Sequence, residues 1–308
     1  MKKKLNSGSN VAVIVLGIDR HLDRISTCVE SIKHVYRKGS NVDIGVATFG
    51  NTALPPSKEL KRYCQQVGIM FYDATRQDFL EIDKNNTDKQ RTHNGAFVGT
   101  TEGFHSNEIL GKISISKFFY DLGYEEVYVL HNDVSIFRDF LPTYRKKMKD
   151  NWAFVSPYVQ SKVADPVSLK DVSLMDPSER SKQIQSRAIG SRIALSILIL
   201  NKKLIYSLYS KYKTEKSMHI NYFNKYCMIG DVGFLQLFDN FNGFSGNPIE
   251  DETGLDDWWS ADCSLKRILL DEKITHIHGD VLFSKYGKAA VDIMKVLETT
   301  KIIDNKYS

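Results

Sequence analysis

Between residues 11 and 130, short apolar runs alternate with amphipathic segments, and that order admits few folds. Val11–Ile18 reads as a buried strand, and His21–Tyr36 as an amphipathic helix with Leu22, Ile25, Val29 and Ile32 on one face. Val42–Phe49 is the next strand, ending at Gly50-Asn51. Pro55-Pro56-Ser57 opens a helix through Gln66, and Gly68–Tyr72 is a third strand. Lys112–Leu122 reads as a helix that delivers the chain into the strand Tyr124–Leu130. Such alternation predicts an α/β fold with a mostly parallel central sheet flanked by helices. Asp73–Gly111 departs from the pattern: it is rich in Asn, Thr, Asp and Gly with little periodicity, as expected of a lid or binding loop.

The second half is less regular. Ala153–Pro157 reads as a short strand, Ser161–Arg187 as a polar connection, and Arg192–Leu200 as a strongly apolar strand followed by a helix to about Lys211. Tyr222–Gly246 is aromatic-rich, Trp258–Leu270 is helical, and Lys273–His278 alternates as a strand does. The expected organisation is a basic tail over 1–10, a first half over 11–157, a second half with a smaller lobe over 158–290, and a C-terminal helix or tail over 291–308.

With 308 residues the chain is long enough for one large α/β domain. Its four cysteines (Cys28, Cys64, Cys227, Cys263) are scattered with no CxxC pair, which argues for a reducing compartment rather than a disulfide scaffold. The basic start MKKKLNSGSN precedes only eight largely apolar residues, a run that suits a first strand better than a signal segment. No run approaches the roughly 20 apolar residues of a membrane-spanning helix. The expected location is therefore cytoplasmic, with at most peripheral contact at the inner membrane face. A net charge of +5 permits loose attraction to anionic lipid or nucleic acid without requiring either.

The strand Val127–Leu130 stops abruptly at His131-Asn132-Asp133, and a fresh apolar–polar alternation follows through Val134, Ile136 and Phe137. A carboxylate at the end of a buried strand is well placed to hold a divalent cation over a ligand crevice. That placement points to an enzyme acting on a phosphorylated or nucleotide-linked substrate; the plainer alternative is that His131 and Asp133 only cap a strand end. In His276-Ile277-His278-Gly279 the alternation puts both imidazoles on one side of the strand, roughly 7 Å apart, as metal ligands or as hydrogen-bonded structural histidines. Asp256-Asp257 stands ahead of Trp258-Trp259 either as a functional acid pair or as the start of a helix.

In this order the elements resemble the nucleotide-sugar glycosyltransferases of the GT-A fold, nearest to the family 2 enzymes that build bacterial polysaccharides. Four places carry the resemblance: Val11–Ile18 with His21–Tyr36; VLHNDVSIF with FLPTYRKKMKDNWAFVSPYV; SRIALSILILNKKL; and GLDDWWSADCSLKRI. It implies a nucleotide-diphosphate sugar as donor, Mn²⁺ or Mg²⁺ as cofactor, and a hydroxyl acceptor on a polysaccharide or lipid-linked oligosaccharide. Asp133 would bind the metal, helped by His131, His276 or His278, and His131 stands where the common DxD motif has its first Asp. Asn132 or His131 would orient the ribose. The strand ends Leu16-Gly17-Ile18 and Phe49-Gly50-Asn51 would border the base, with Asp73 beside the base or ribose, and Lys112 and Lys285 at the diphosphate.

An inverting reaction needs a general base, for which Asp257 is the first choice and Asp256 the second. Asp231 in IGDVGF supports a competing reading, because an acidic segment after an apolar strand and a late HxxG also resemble the retaining family 8 enzymes. That family's Lys-Pro-Trp is absent. Transfer to a modified nucleic-acid base, a nucleotidyltransferase and a non-catalytic binding module are the remaining readings. The nucleotidyltransferase is disfavoured because Gly17-Ile18-Asp19-Arg20 carries a single Gly where a phosphate loop is Gly-rich.

Overall fold

A computed structural model describes residues 8–17, 21–36, 40–48, 58–73, 98–149, 152–157, 159–160, 192–193, 196–218, 245–248, 254–256 and 264–296. Residues 98–109, 159–160, 192–193, 216, 245–248, 254–256 and 280 are described by their backbone alone.

Strand β1 (Val11–Leu16) is buried at every position. Successive side chains of a strand face opposite ways, so Val11, Val13 and Val15 enter one apolar layer and Ala12, Ile14 and Leu16 the other. A strand apolar on both faces must be covered on both, as parallel sheets are. β1 pairs in parallel with β2 (Val42–Thr48) and with β4 (Glu126–Leu130), and β2 pairs in parallel with β3 (Met70–Asp73). Beyond β4 come β9 (Ile197–Leu200), β6 (Trp152–Ser156) and β10 (Ser245–Pro248), which completes a seven-stranded sheet in the order β10-β6-β9-β4-β1-β2-β3. β9 runs antiparallel to both its neighbours, and the other pairings are parallel.

Helices α1 (Leu22–Val35), α2 (Lys58–Val67) and α4 (Leu141–Lys147) cover the first layer through Ile25, Val29, Ile32, Leu60 and Tyr144. The second layer is covered by α3 (Val98–Asp121), α5 (Lys202–Tyr212) and the short α6 (Glu215–Met218) through Ile113, Ile115, Phe119, Leu204, Leu208 and Met218. The Asn201 side chain caps α5 by accepting from the amides of Lys203 and Leu204. None of the helices over the described residues is long and apolar enough to cross a membrane.

A second, three-stranded sheet is built from β11 (Gly254–Asp256), β12 (His276–His278) and β5 (Val134–Ile136). β12 lies parallel to β11 and antiparallel to β5, with His278 opposite Val134 and in register with Asp256. Its own apolar cluster contains Phe137, Ile268, Ile274, Ile277, Leu282 and Met294. α7 (Leu265–Leu270) packs there, and after β12 a short turn, α8 (Asp280–Leu282), runs into the wider π-turn Phe283–Gly287 and a helix over 288–296. Gly279, at φ 103°, makes the reversal out of β12 in the left-handed region that glycine tolerates. The Arg138 guanidinium spans the two parts, donating to the carbonyls of Ile268 (3.1 Å), Leu269 (2.7 Å) and Ile274 (2.6 Å).

Two expectations need correction. The helix ahead of β4 begins at Val98 rather than Lys112, so the segment read as a loop to Gly111 is helical from residue 98. Gly99, Gly103 and Gly111, with Thr100, Thr101 and Ser106, break up any apolar stripe there, and helix periodicity is invisible without one. The apolar run Arg192–Leu200 is divided between two sheets: β8 (Arg192–Ile193) pairs with β7 (Val159–Gln160), and β9 enters the central sheet.

Candidate metal centre

From β1 the sheet grows one way through β2 and β3, and the chain then returns to the other side of β1 as β4. The C-terminal ends of β1 and β4 therefore flank a topological switch point, where open α/β sheets bind ligands. Gly17 follows β1, and His131-Asn132-Asp133 follows β4. A Cβ at Gly17 would overlap the Ile25 side chain and lie 3.7 Å from the Asn132 amide nitrogen. Glycine thus leaves room for Ile25 of α1 to pack against the end of β1.

His131 is held by its backbone. Its amide donates to the Ser196 carbonyl at 3.0 Å, and its carbonyl accepts from the Cys28 thiol at 3.8 Å. Burial, reinforced by the Asp133 charge, pushes the Cys28 thiol well above the usual range, so it stays protonated beneath the site. The Asn132 amide donates to His21 Nδ1 at 3.1 Å, from the residue that precedes α1. The fully buried Lys112 ammonium reaches down from α3 and donates to His131 Nε2 at 2.8 Å.

β12 carries the third component into place. Pairing of β12 with β5 sets His278 opposite Val134, the residue after Asp133. His278 Nε2 lies 3.5 Å from Asp133 Oδ1, and the His131 and His278 rings are 5.5 Å apart. One ligand atom from each of His131, Asp133 and His278 falls within 4.8 Å of the others. Asp133 and His278 keep 17% and 18% of their side-chain surface, enough for a ligand to enter. Two imidazole nitrogens and a carboxylate oxygen make a set of borderline and hard donors that suits a divalent first-row ion. The residues present therefore fit a cation.

The other expected site residues are distributed unevenly. His276 is 1% exposed, with Nδ1 3.0 Å from the Thr275 hydroxyl, and it does not join the described cluster. Leu16 commits its side chain to the core. Asp73 ends β3 and accepts from the Thr48 hydroxyl at 2.8 Å, at the same edge of the sheet as the HND turn. Lys285 sits on the π-turn with Nζ 5.0 Å from the centre of the Tyr286 ring. Asp256 ends β11 beside His278 in backbone register. Ile18, Phe49, Gly50, Asn51, Asp231 and Asp257 lie outside the described residues.

His21 is a site residue that sequence reasoning missed. Its position at the β1–α1 junction was visible, but its side chain leaves the helix start uncapped and turns to Asn132. The Lys112–His131 contact was equally hidden, because nothing in the spacing of residues 112 and 131 specifies it.

No family model matches the chain, and no curated protein matches it. Solved structures do. The glycosyltransferase GlyE of Streptococcus pneumoniae TIGR4 aligns with a TM-score of 0.50 at 11% identity, over 96% of this chain and 64% of GlyE. An active-site mutant of LgtC aligns with a TM-score of 0.51 at 12% identity, over 92% of this chain and 95% of LgtC. The chain thus spans slightly under two thirds of GlyE and nearly all of LgtC. At such identities the likeness is one of fold: the chain has the mixed α/β architecture of GT-A glycosyltransferases.

Proposed function

We propose that this protein transfers a sugar from a nucleotide-diphosphate donor to a hydroxyl acceptor, with His131, Asp133 and His278 holding Mn²⁺ or Mg²⁺. The observation that carries the reading is convergence: two ligands from the turn after β4 meet a third from β12 at the switch point of a GT-A sheet. A divalent cation there supplies charge neutralisation for a departing diphosphate.

The chain's own residues supply the rest. The strand ends at Gly17-Ile18 and Phe49-Gly50-Asn51, with Asp73, would border the nucleoside, and Gly50 would permit its close approach to the backbone. Asn132, steadied by His21, faces the ribose. Lys112 and Lys285 place ammonium groups on the diphosphate side. Asp257 removes the acceptor proton, and Asp256, in register with His278, is the neighbouring carboxylate. Asp231 is the group that would act instead in a retaining reaction.

The acceptor is a carbohydrate or glycolipid, in keeping with a cytoplasmic enzyme that works at or near the inner membrane face. A nucleic-acid acceptor would show itself by binding DNA with an affinity that falls steeply with salt.

The test is donor hydrolysis, followed with a panel of nucleotide sugars with and without Mn²⁺. Sugar released only with metal supports the transferase, pyrophosphate release would mark a nucleotidyltransferase, and no turnover of any donor would mark a binding module. Asp257→Asn is expected to lower transfer by orders of magnitude with little change in donor affinity. If Asp231→Asn has that effect and Asp257→Asn does not, the reaction is of the retaining class.

A further inference from the structure

Ser31 is the polar exception on the core face of α1. Its buried neighbours there, Ile25, Cys28, Val29 and Ile32, are apolar, yet Ser31 is completely buried with them. The hydroxyl donates to the Cys28 carbonyl at 2.7 Å and accepts from the Ile136 amide at 3.0 Å. The first bond is the ordinary habit of a helical serine. The second reaches across the sequence to β5. That strand meets β12 along one edge, with Ser135 opposite Ile277 and Val134 opposite His278. The Ile136 amide is not spent on β12; a helix side chain takes it where a further strand ordinarily would. The π-turn is as close, since a Cβ at Gly287 would lie 3.0 Å from Ser135 Oγ. One turn before Ser31, the Cys28 thiol donates to the His131 carbonyl at 3.8 Å. A single helix thus holds the chain on both sides of Asp133, at His131 and at Ile136.

We infer that Ser31 is a positioning residue of the cation site: it sets β5, and the His278 carried opposite it, at the reach that His131 and Asp133 require. The inference rests on the reading of His131, Asp133 and His278 as cation ligands. β12 comes to the HND turn through its pairing with β5, so a shift of β5 along α1 carries His278 with it. His131 would not follow, because its amide is bonded to the Ser196 carbonyl beside β9. The 3.5 Å between His278 Nε2 and Asp133 Oδ1 leaves little room for such a shift. Without the hydroxyl the buried Ile136 amide has lost its acceptor, and a buried donor in that state drives the backbone to find another. Ser31 touches neither the ion nor the donor; it acts through the backbone of β5.

Calorimetric titration of Mn²⁺, in the presence of uridine or guanosine diphosphate, into wild type, Ser31→Ala, Ser31→Thr and Val46→Ala tests this. Val46 is buried in β2 within the same apolar layer, so Val46→Ala loosens the frame and leaves the Ile136 amide its acceptor. Melting temperatures report the folded fraction of each variant. Ser31→Ala is expected to bind Mn²⁺ about tenfold more weakly than wild type or worse, and its Ile136 amide to exchange with solvent faster by about the same factor. Ser31→Thr, which keeps the hydroxyl, and Val46→Ala should both stay within about threefold of wild type. If Ser31→Ala loses less than that tenfold, the inference is overturned and the cation site stands. Equal weakening by Val46→Ala overturns it too, since the loss would then follow stability rather than the placement of β5. If wild type binds no Mn²⁺ with either nucleotide, the cation site itself falls and this inference with it.

Discussion

The central sheet and the three-stranded sheet are built on different principles. In the central sheet β1 and β9 are continuous apolar runs and β4 is one after its first residue, and each crossover helix lies close in sequence to the strands it covers. The small sheet joins three-residue strands from far apart, β5 at 134–136 with β12 at 276–278 and β11 at 254–256. The first provides a rigid frame, whereas the second contributes the ligand that the frame lacks. His131 and Asp133 belong to the frame, and His278 reaches them only because a short, distant strand pairs beside Asp133.

Variants in the two parts should behave differently. Asp133→Ala should have the largest effect: transfer falls by at least three orders of magnitude, about 4 kcal/mol of transition-state stabilisation, while circular dichroism and melting temperature stay near wild type. Near-normal turnover would remove Asp133 from the cation site. Ile14→Ala in the central layer and Ile277→Ala in the small one should each cost about 2–5 kcal/mol, because both side chains are fully buried. They should part company in binding: the folded fraction of Ile14→Ala keeps wild-type Mn²⁺ affinity in the presence of nucleotide, and that of Ile277→Ala, between the two histidines of β12, loses it. Equal affinities would erase the distinction between frame and assembly.

Arg138→Gln should have a smaller and more local effect. It removes charge-assisted bonds to three carbonyls around α7 and the approach to β12. Hydrogen exchange should then rise over 264–278 and remain unchanged in β1 and β2; uniform loosening would show that the two sheets unfold as one.

The central frame is legible in the sequence because its signals are local. Val11–Leu16 is apolar at every position, α1 repeats its apolar residues at helix spacing, and the HND triplet ends a strand without ambiguity. The helix from Val98 is not legible, because Gly99, Gly103 and Gly111 erase the stripe. Nor is the choice between His276 and His278. Alternation places both on one side of β12, but only the register with β5 decides which of them reaches Asp133. Long-range pairing selects the ligand, and no local pattern encodes it.

The smallest effects concern the frame alone. Cys28 is raised well above the usual thiol range and Cys64 is pushed up to about 12, both chiefly by burial, so neither should react with a thiol reagent at neutral pH until the protein unfolds. Tyr120, Tyr128 and Tyr144 are likewise held neutral, mainly by burial. Their pKa values in the folded protein lie above the unfolded value of 10.0, so the stability they contribute is complete below that pH and is lost as pH rises beyond it. A melting temperature that did not fall between pH 10 and 11 would contradict this.

The central claim is that residues from two sheets make one cation site, and pulsed electron paramagnetic resonance of Mn²⁺ bound together with uridine or guanosine diphosphate tests it most directly. With ¹⁵N-labelled histidine, the account predicts nitrogen couplings from two imidazoles in the wild-type protein and from one in His278→Ala. Couplings unchanged by that substitution, or a spectrum with no imidazole nitrogen at all, would contradict it.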